Sequence, residues 1–196
     1  MTFTTDSRFY CVLLSLIFMG LLSPKIGKSQ NLVPNPSFET TFNVPCGWVT
    51  VPASFPTIVA NWNIPTQATS DIHSTQIPQN CWNFQPNSTY SGCWPGPQMP
   101  RTGNVMAGIY TFTGFGMNNW REYIQVRLSS PMVVGVPYLV DFYASLADYS
   151  QFASNNIGIY LSTTPTMSGI SWDLPFTPTI NRTAVLSNSL SMDLYR

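Results

Sequence analysis

The residues able to do chemistry are few and scattered. His73 is the single histidine, so any imidazole-based catalysis must pass through it. Its Ser- and Thr-rich surroundings predict a polar loop and a structural role rather than a catalytic one. The chain contains no Gly-x-Ser-x-Gly elbow, no P-loop and no dinucleotide fingerprint. Glycoside hydrolysis would need two carboxyl groups held about 5–9.5 Å apart. Glu39, Glu122, Asp141 and Asp148 qualify by type alone. Arg121 stands directly before Glu122, which favours a structural ion pair there. These residues predict a non-catalytic protein, with a secreted hydrolase fragment as the weakest of the readings.

Setting aside Cys11, which lies in an N-terminal apolar run, the thiols are Cys46, Cys81 and Cys93. Three thiols allow three single pairings and leave one over. Zinc is poorly supplied, because there is no Cys-x-x-Cys and only one His. One disulfide is therefore expected. The aromatic residues carry the strongest hint of binding. Trp48, Trp62, Trp82, Trp94, Trp120 and Trp172 all lie outside the best strand patterns. An exposed ring can stack on the apolar face of a sugar, and Trp supplies rigid contact area to a protein partner. For any one of them, core filling or loop pinning is the competing role. Trp82 and Trp94 stand out because each follows a Cys in the Pro-, Gly- and Asn-rich stretch 76–100. A braced loop presents a ring at little ordering cost. Trp120 with Arg121 ranks next.

These residues sit in a chain of unusual texture. Of its 196 residues 44% are hydrophobic and only 8% charged, against roughly 25% charged in an average soluble domain. Seventeen Pro and twelve Gly exclude a helical bundle. Formal neutrality excludes a nucleic-acid binder, which needs basic residues to track phosphates. Residues 1–29 read as a secretory signal peptide. Arg8 precedes an apolar run from Cys11 to Leu22, and small Gly27 and Ser29 suit a cleavage site. The run is shorter than the ~20 residues that span a bilayer. Beyond Ser29 five arginines face seven carboxylates, a net charge of −2. Electrostatic steering of a charged partner is then weak.

The strand pattern is clearest in the middle of the chain. Ile124, Val126 and Leu128 alternate with Tyr123, Gln125 and Arg127; Val140, Phe142 and Ala144 alternate with Asp141, Tyr143 and Ser145; Ile157, Ile159 and Leu161 alternate with Gly158 and Tyr160. Period two places one face in a core and one in water. The expectation is antiparallel strands over 103–112, 121–129, 137–147 and 156–162, with Ile124, Val126, Val140, Phe142, Ile157 and Ile159 buried. Met132–Pro137 is a turn. Residues 31–100 and those beyond 163 read as Pro- and Thr-rich connections with few apolar runs. No helical stripe of ten residues occurs after Ser29. Short strands at this spacing predict a sandwich or barrel.

Four blocks carry a resemblance. Asn31-Leu32-Val33-Pro34-Asn35-Pro36-Ser37-Phe38-Glu39 resembles the first strand of carbohydrate-binding-like, galactose-binding-fold jelly rolls. Pro100 to Gly108, Arg121 to Leu128 and Tyr138 to Asp148 resemble later strands of the same module, in the same order. The chain is similar to the N-terminal module of secreted or outer-membrane-associated proteins of gliding bacteria that use type IX secretion. The resemblance implies an all-β antiparallel β-sandwich of the jelly-roll type over 30–196, incomplete or atypical at the C-terminus after residue 180 or so. It also implies a downstream OmpA-like or sorting domain that does not follow here. It places one Cys shortly after the first strand and another ahead of the Arg101–Asn104 block, implying a Cys46–Cys81 bond, with Cys81–Cys93 as the alternative. It puts Glu39 at a structural calcium position whose second acid belongs to the closing strand.

The function expected is an exported, non-catalytic cell-surface module that binds glycan or other envelope or extracellular material. The alternative is an adhesion or spacer module of an outer-membrane-associated protein with no sugar ligand. Neither a cofactor, a nucleic-acid partner nor a membrane span is expected after the leader is removed.

Overall fold

The computed structural model describes residues 30–44, 46–77, 81, 98–111, 119–148, 150, 152–170, 173–187 and 193–195. The fold is all-β. Among the described residues its helical element is one 3₁₀ helix, Pro52–Thr57. Eight short strands follow in chain order: β1 Trp62–Asn63, β2 Asp71–Ser74, β3 Val105–Gly108, β4 Gln125–Val126, β5 Phe142–Ala144, β6 Ile157–Ile159, β7 Ile180–Arg182 and β8 Asp193–Tyr195. They pair antiparallel as β1–β4, β2–β3, β5–β8 and β6–β7. Each of the four strands expected from alternation is present, but shorter than its pattern, because ladder bonds form only over its central residues.

The block Asn31–Glu39 is a knotted loop rather than a strand. Asn35 and Phe38 adopt left-handed φ of 49° and 64°. Pro34 and Pro36 have no N–H to give a ladder. The Asn35 side chain closes the knot: its amide donates to Thr40 O (3.1 Å) and Ala60 O (3.0 Å), and its Oδ1 accepts from Thr40 N–H (3.0 Å). Asn tolerates left-handed backbone because its short polar side chain bonds locally. Trp62 completes the arrangement. Its indole N–H donates to Asn35 O at 2.9 Å, and its ring packs on Phe38 with centroids 4.7 Å apart.

The main core lies in the half that reads as Pro- and Thr-rich connection. Val49, Phe55, Ile58, Val59, Ile64, Ile72 and Val105 form one buried cluster, with Phe38, Trp62, Ala107 and Ile124 packed on it. Ile77, Cys81 and Met106 form a second, smaller cluster. The disulfide joins Cys46 to Cys81, with Cα atoms 4.6 Å apart. The bond implied by the resemblance is therefore the one present, and Cys93 lies outside the described residues.

The six residues expected to be buried are only half-buried. The assigned faces hold along β5 and β6, where Asp141, Tyr143, Gly158 and Tyr160 are exposed. Around β4 the contrast is lost, because Tyr123 and Gln125 are half-buried too. A returning segment covers them. The Gln125 amide donates to Thr166 O (2.9 Å) and accepts from Thr166 N–H (3.2 Å), and Tyr123 Oη accepts from Leu174 N–H (3.2 Å). The same segment bonds Pro65 O through Ser168 N–H and accepts from Gln67 N–H at Ile170 O.

Candidate functional site

The most unusual chemistry lies where β2 meets the chain around 110 and 122. All four residues of β2 are buried, including Asp71 and His73. Glu122 is buried as well, only 5% exposed. It has the same parity as Ile124 and Val126, so alternation that sends those two inward also sends in the carboxylate.

Glu122 is held as an acceptor on every side. Its backbone N–H donates to Tyr110 O at 2.8 Å, while the Tyr110 N–H donates back to Glu122 Oε2 at 2.8 Å. The Thr69 N–H and the Trp120 indole N–H also donate to its carboxyl group. Burial nevertheless dominates and raises the pKa to about 8, against the lowering effect of those donors, with the nearby Asp71 charge raising it further. Asp71 accepts from Val49 N–H at 2.7 Å, and burial raises its pKa to about 6. Burial also pushes up the Tyr110 hydroxyl, and the charges of Glu122 and Asp71 add to that. At neutral pH this places one proton on Glu122 and a charge on Asp71. Ser70 Oγ–H donates to Tyr123 O at 3.1 Å and ties the two segments together.

His73 is not a loop residue. It lies in β2 opposite Met106, and its imidazole occupies the space over Gly108, where a Cβ would collide with Nε2. Burial lowers its pKa to about 3, so it is neutral at physiological pH. The ion pair expected between Arg121 and Glu122 is absent. Arg121 Nε–H donates instead to Asn119 Oδ1 (3.0 Å), whose amide reaches Asp173 Oδ1 (3.4 Å). Trp120, expected to offer its ring to a ligand, is half-buried with its N–H directed to Glu122.

The other acids are not drawn into this cluster. Glu39 Oε1 accepts from the N–H groups of Asn104 and Val105, both at 2.9 Å. Gly103 makes that possible: its φ is +69°, and a Cβ there would strike the Glu39 carboxylate. Asp141 is exposed, and Asp148 is half-buried with its pKa raised by burial. Among the described residues no three His, Cys, Asp or Glu side chains converge as a metal-holding group.

Trp82 and Trp94 lie outside the described residues. What is described is their root. Cys81, directly before Trp82, is buried against Ile77 and Met106 and bonded to Cys46. Gln98 resumes the chain, and Arg101 stacks its guanidinium 3.5 Å from the centre of the Tyr143 ring. Asp71 was missed in the sequence because a polar side chain in a strand buried on both faces leaves no periodic signal. Glu122 had one in its parity. Comparison of the chain with protein-family models, with curated proteins and with solved structures finds no match in any of the three.

Proposed function

We propose that the chain is an exported, non-catalytic β module of jelly-roll type that binds glycan or other cell-surface material through the segment following Cys81. The observation that carries this reading is the fixed position of Cys81, the residue before it. The Cys46–Cys81 bond fixes the residue before Trp82 to a buried patch. Ordering a ring in advance is what makes aromatic stacking on sugars effective at small area. The disulfide fits an oxidising, exported setting. The acids support the non-catalytic side of the reading. Asp71, whose charge raises the Glu122 pKa, and Glu122 itself are buried and spend oxygens on backbone and indole N–H groups.

The test is affinity electrophoresis in gels cast with xylan, mannan, laminarin and hydroxyethylcellulose, together with thermal melting. The parent should be retarded by at least one polysaccharide. Trp82→Ala and Trp94→Ala should lose that retardation with Tm unchanged. A parent that runs freely in every gel, or variants retarded as strongly as the parent, would hand the assignment to an adhesion or spacer module.

A further inference from the structure

The turn Pro131–Pro137 contradicts the ordinary composition of a surface turn. Such turns favour Gly, Asn, Asp and Ser for their local hydrogen bonding. This one reads Pro-Met-Val-Val-Gly-Val-Pro, and from Leu128 to Val140 the chain carries no charged side chain. Its apolar residues are not covered by the fold. Val134 is 100% exposed, Val133 61% and Leu139 73%, and Met132 and Val136 are exposed beside them.

The turn is also well defined. Val136 N–H donates to Val133 O at 3.2 Å, and Gly135 at the third position has φ +81°, as a type II turn requires. Tyr138 reaches back from the base, and its Oη accepts from Val133 N–H at 2.9 Å. Pro131 and Pro137 have no N–H to satisfy. Two N–H groups of the turn, those of Val133 and Val136, are bonded within it. Tyr138 at the base adds an amphipathic ring of the kind found at the headgroup level.

We propose that this turn is a membrane-contact tip that seats Val133, Val134 and Val136 in the headgroup–acyl boundary of a lipid bilayer, with Tyr138 at the interface. A protein partner fits less well. A specific protein interface needs about 800 Å² on each side, whereas one seven-residue turn is narrow. The absence of charge in the tip also fixes the lipid chemistry. Attraction is by apolar burial, so zwitterionic and anionic bilayers serve equally and salt has little effect. This inference does not rest on the glycan reading and involves a different part of the chain.

The test uses the full chain, disulfide-bonded, in co-sedimentation with vesicles of phosphatidylcholine and of phosphatidylcholine doped with phosphatidylglycerol, at low and high salt. The expected result is binding to both, insensitive to salt. Val134→Asp should weaken it by about tenfold or more, because the bilayer would have to take up a charge in place of an apolar side chain, with Tm unchanged, because the site is fully exposed in the fold. Comparison within the same chain cancels any contribution from the apolar run 11–22. As an independent readout, Val134→Trp should shift its fluorescence to the blue on adding vesicles. The proposal is overturned if the parent does not sediment with either vesicle, if Val134→Asp binds like the parent, or if binding is confined to anionic vesicles and abolished by salt. Self-association of the parent that Val134→Asp removes, without vesicle binding, would overturn it in favour of a protein contact.

Discussion

Residues 40–126 and residues 130–187 differ in a way opposite to their sequence patterns. The first region has weak alternation, yet it holds both buried clusters and the buried Asp71, His73 and Glu122. The second has the cleanest alternating strands, yet Leu186 is the buried hydrophobic residue it contributes among the described positions. There Val140, Phe142, Ile157, Ile159 and Ile180, with Arg182, line a half-open, mostly apolar trough. Alternation therefore reports which side chains share a face, not whether anything covers that face. The first region is covered because its segments cross one another. The 3₁₀ helix, β1, β2 and β3 all contribute to one apolar cluster, and the 165–170 segment bonds back to Pro65 and Gln67 between β1 and β2.

The largest test of this contrast is a pair of truncations. Phe55 is fully buried in the first core, so Phe55→Ala should cost about 3–5 kcal/mol in urea unfolding. Phe142 is half-buried in the trough, so Phe142→Ala should cost about 1–2 kcal/mol. Equal losses would mean that the two regions are equally packed. Next in size is the disulfide, which closes a loop of sequence separation 35 within the first region. Replacing Cys46 and Cys81 together by Ser should lower stability by about 2–4 kcal/mol. The loss should appear as a reduced urea midpoint, and a reductant should reproduce it in the parent.

The smallest effect sharpens the comparison most, because the buried acids belong to one region alone. Glu122 has its folded pKa raised to about 8 from an unfolded value near that of a free carboxyl. The folded state then binds the extra proton at mildly acidic pH, and its stabilising contribution is lost as pH rises through about 8. Asp71 loses its own contribution lower, through about 6. His73 works in the opposite sense. Its folded pKa of about 3 gives stability that is present above 6.5 and lost as pH falls toward 3. Between pH 6.5 and 8 the Glu122 effect is consequently the largest of the three. Stability should fall there with a limiting slope of about 1.4 kcal/mol per pH unit. Glu122→Gln keeps the shape and removes the titration, so the decline in Tm across that window should flatten. A parent whose Tm does not change between pH 6.5 and 8 would show that Glu122 is ionised in the fold.

Part of this site was legible before the fold was known. The parity of Glu122 with Ile124 and Val126 already pointed it inward, and only the adjacent Arg121 suggested a surface ion pair. Nothing comparable marked Asp71 or His73, whose neighbours alternate no apolar residues. Their burial follows from pairing with Val105–Gly108 on one side and from packing under Val49 on the other. Those partners lie over twenty residues away in sequence.

What the amino-acid sequence determined by itself is local: an all-β chain, because period-two runs and abundant Pro and Gly leave no room for helices; the positions of β3 to β6; and the shared faces of Val140 with Phe142 and Ile157 with Ile159. The Cys46–Cys81 pairing was readable through the resemblance rather than through spacing. Tertiary structure alone decided which faces are covered. Burial depends on what returns across a surface, as Thr166 returns to Gln125 and Leu174 to Tyr123. It also set the protonation of Asp71 and Glu122. Burial raises both carboxyl pKa values, and the N–H donors that oppose it come from separate stretches of chain, at Val49, Thr69, Tyr110 and Trp120.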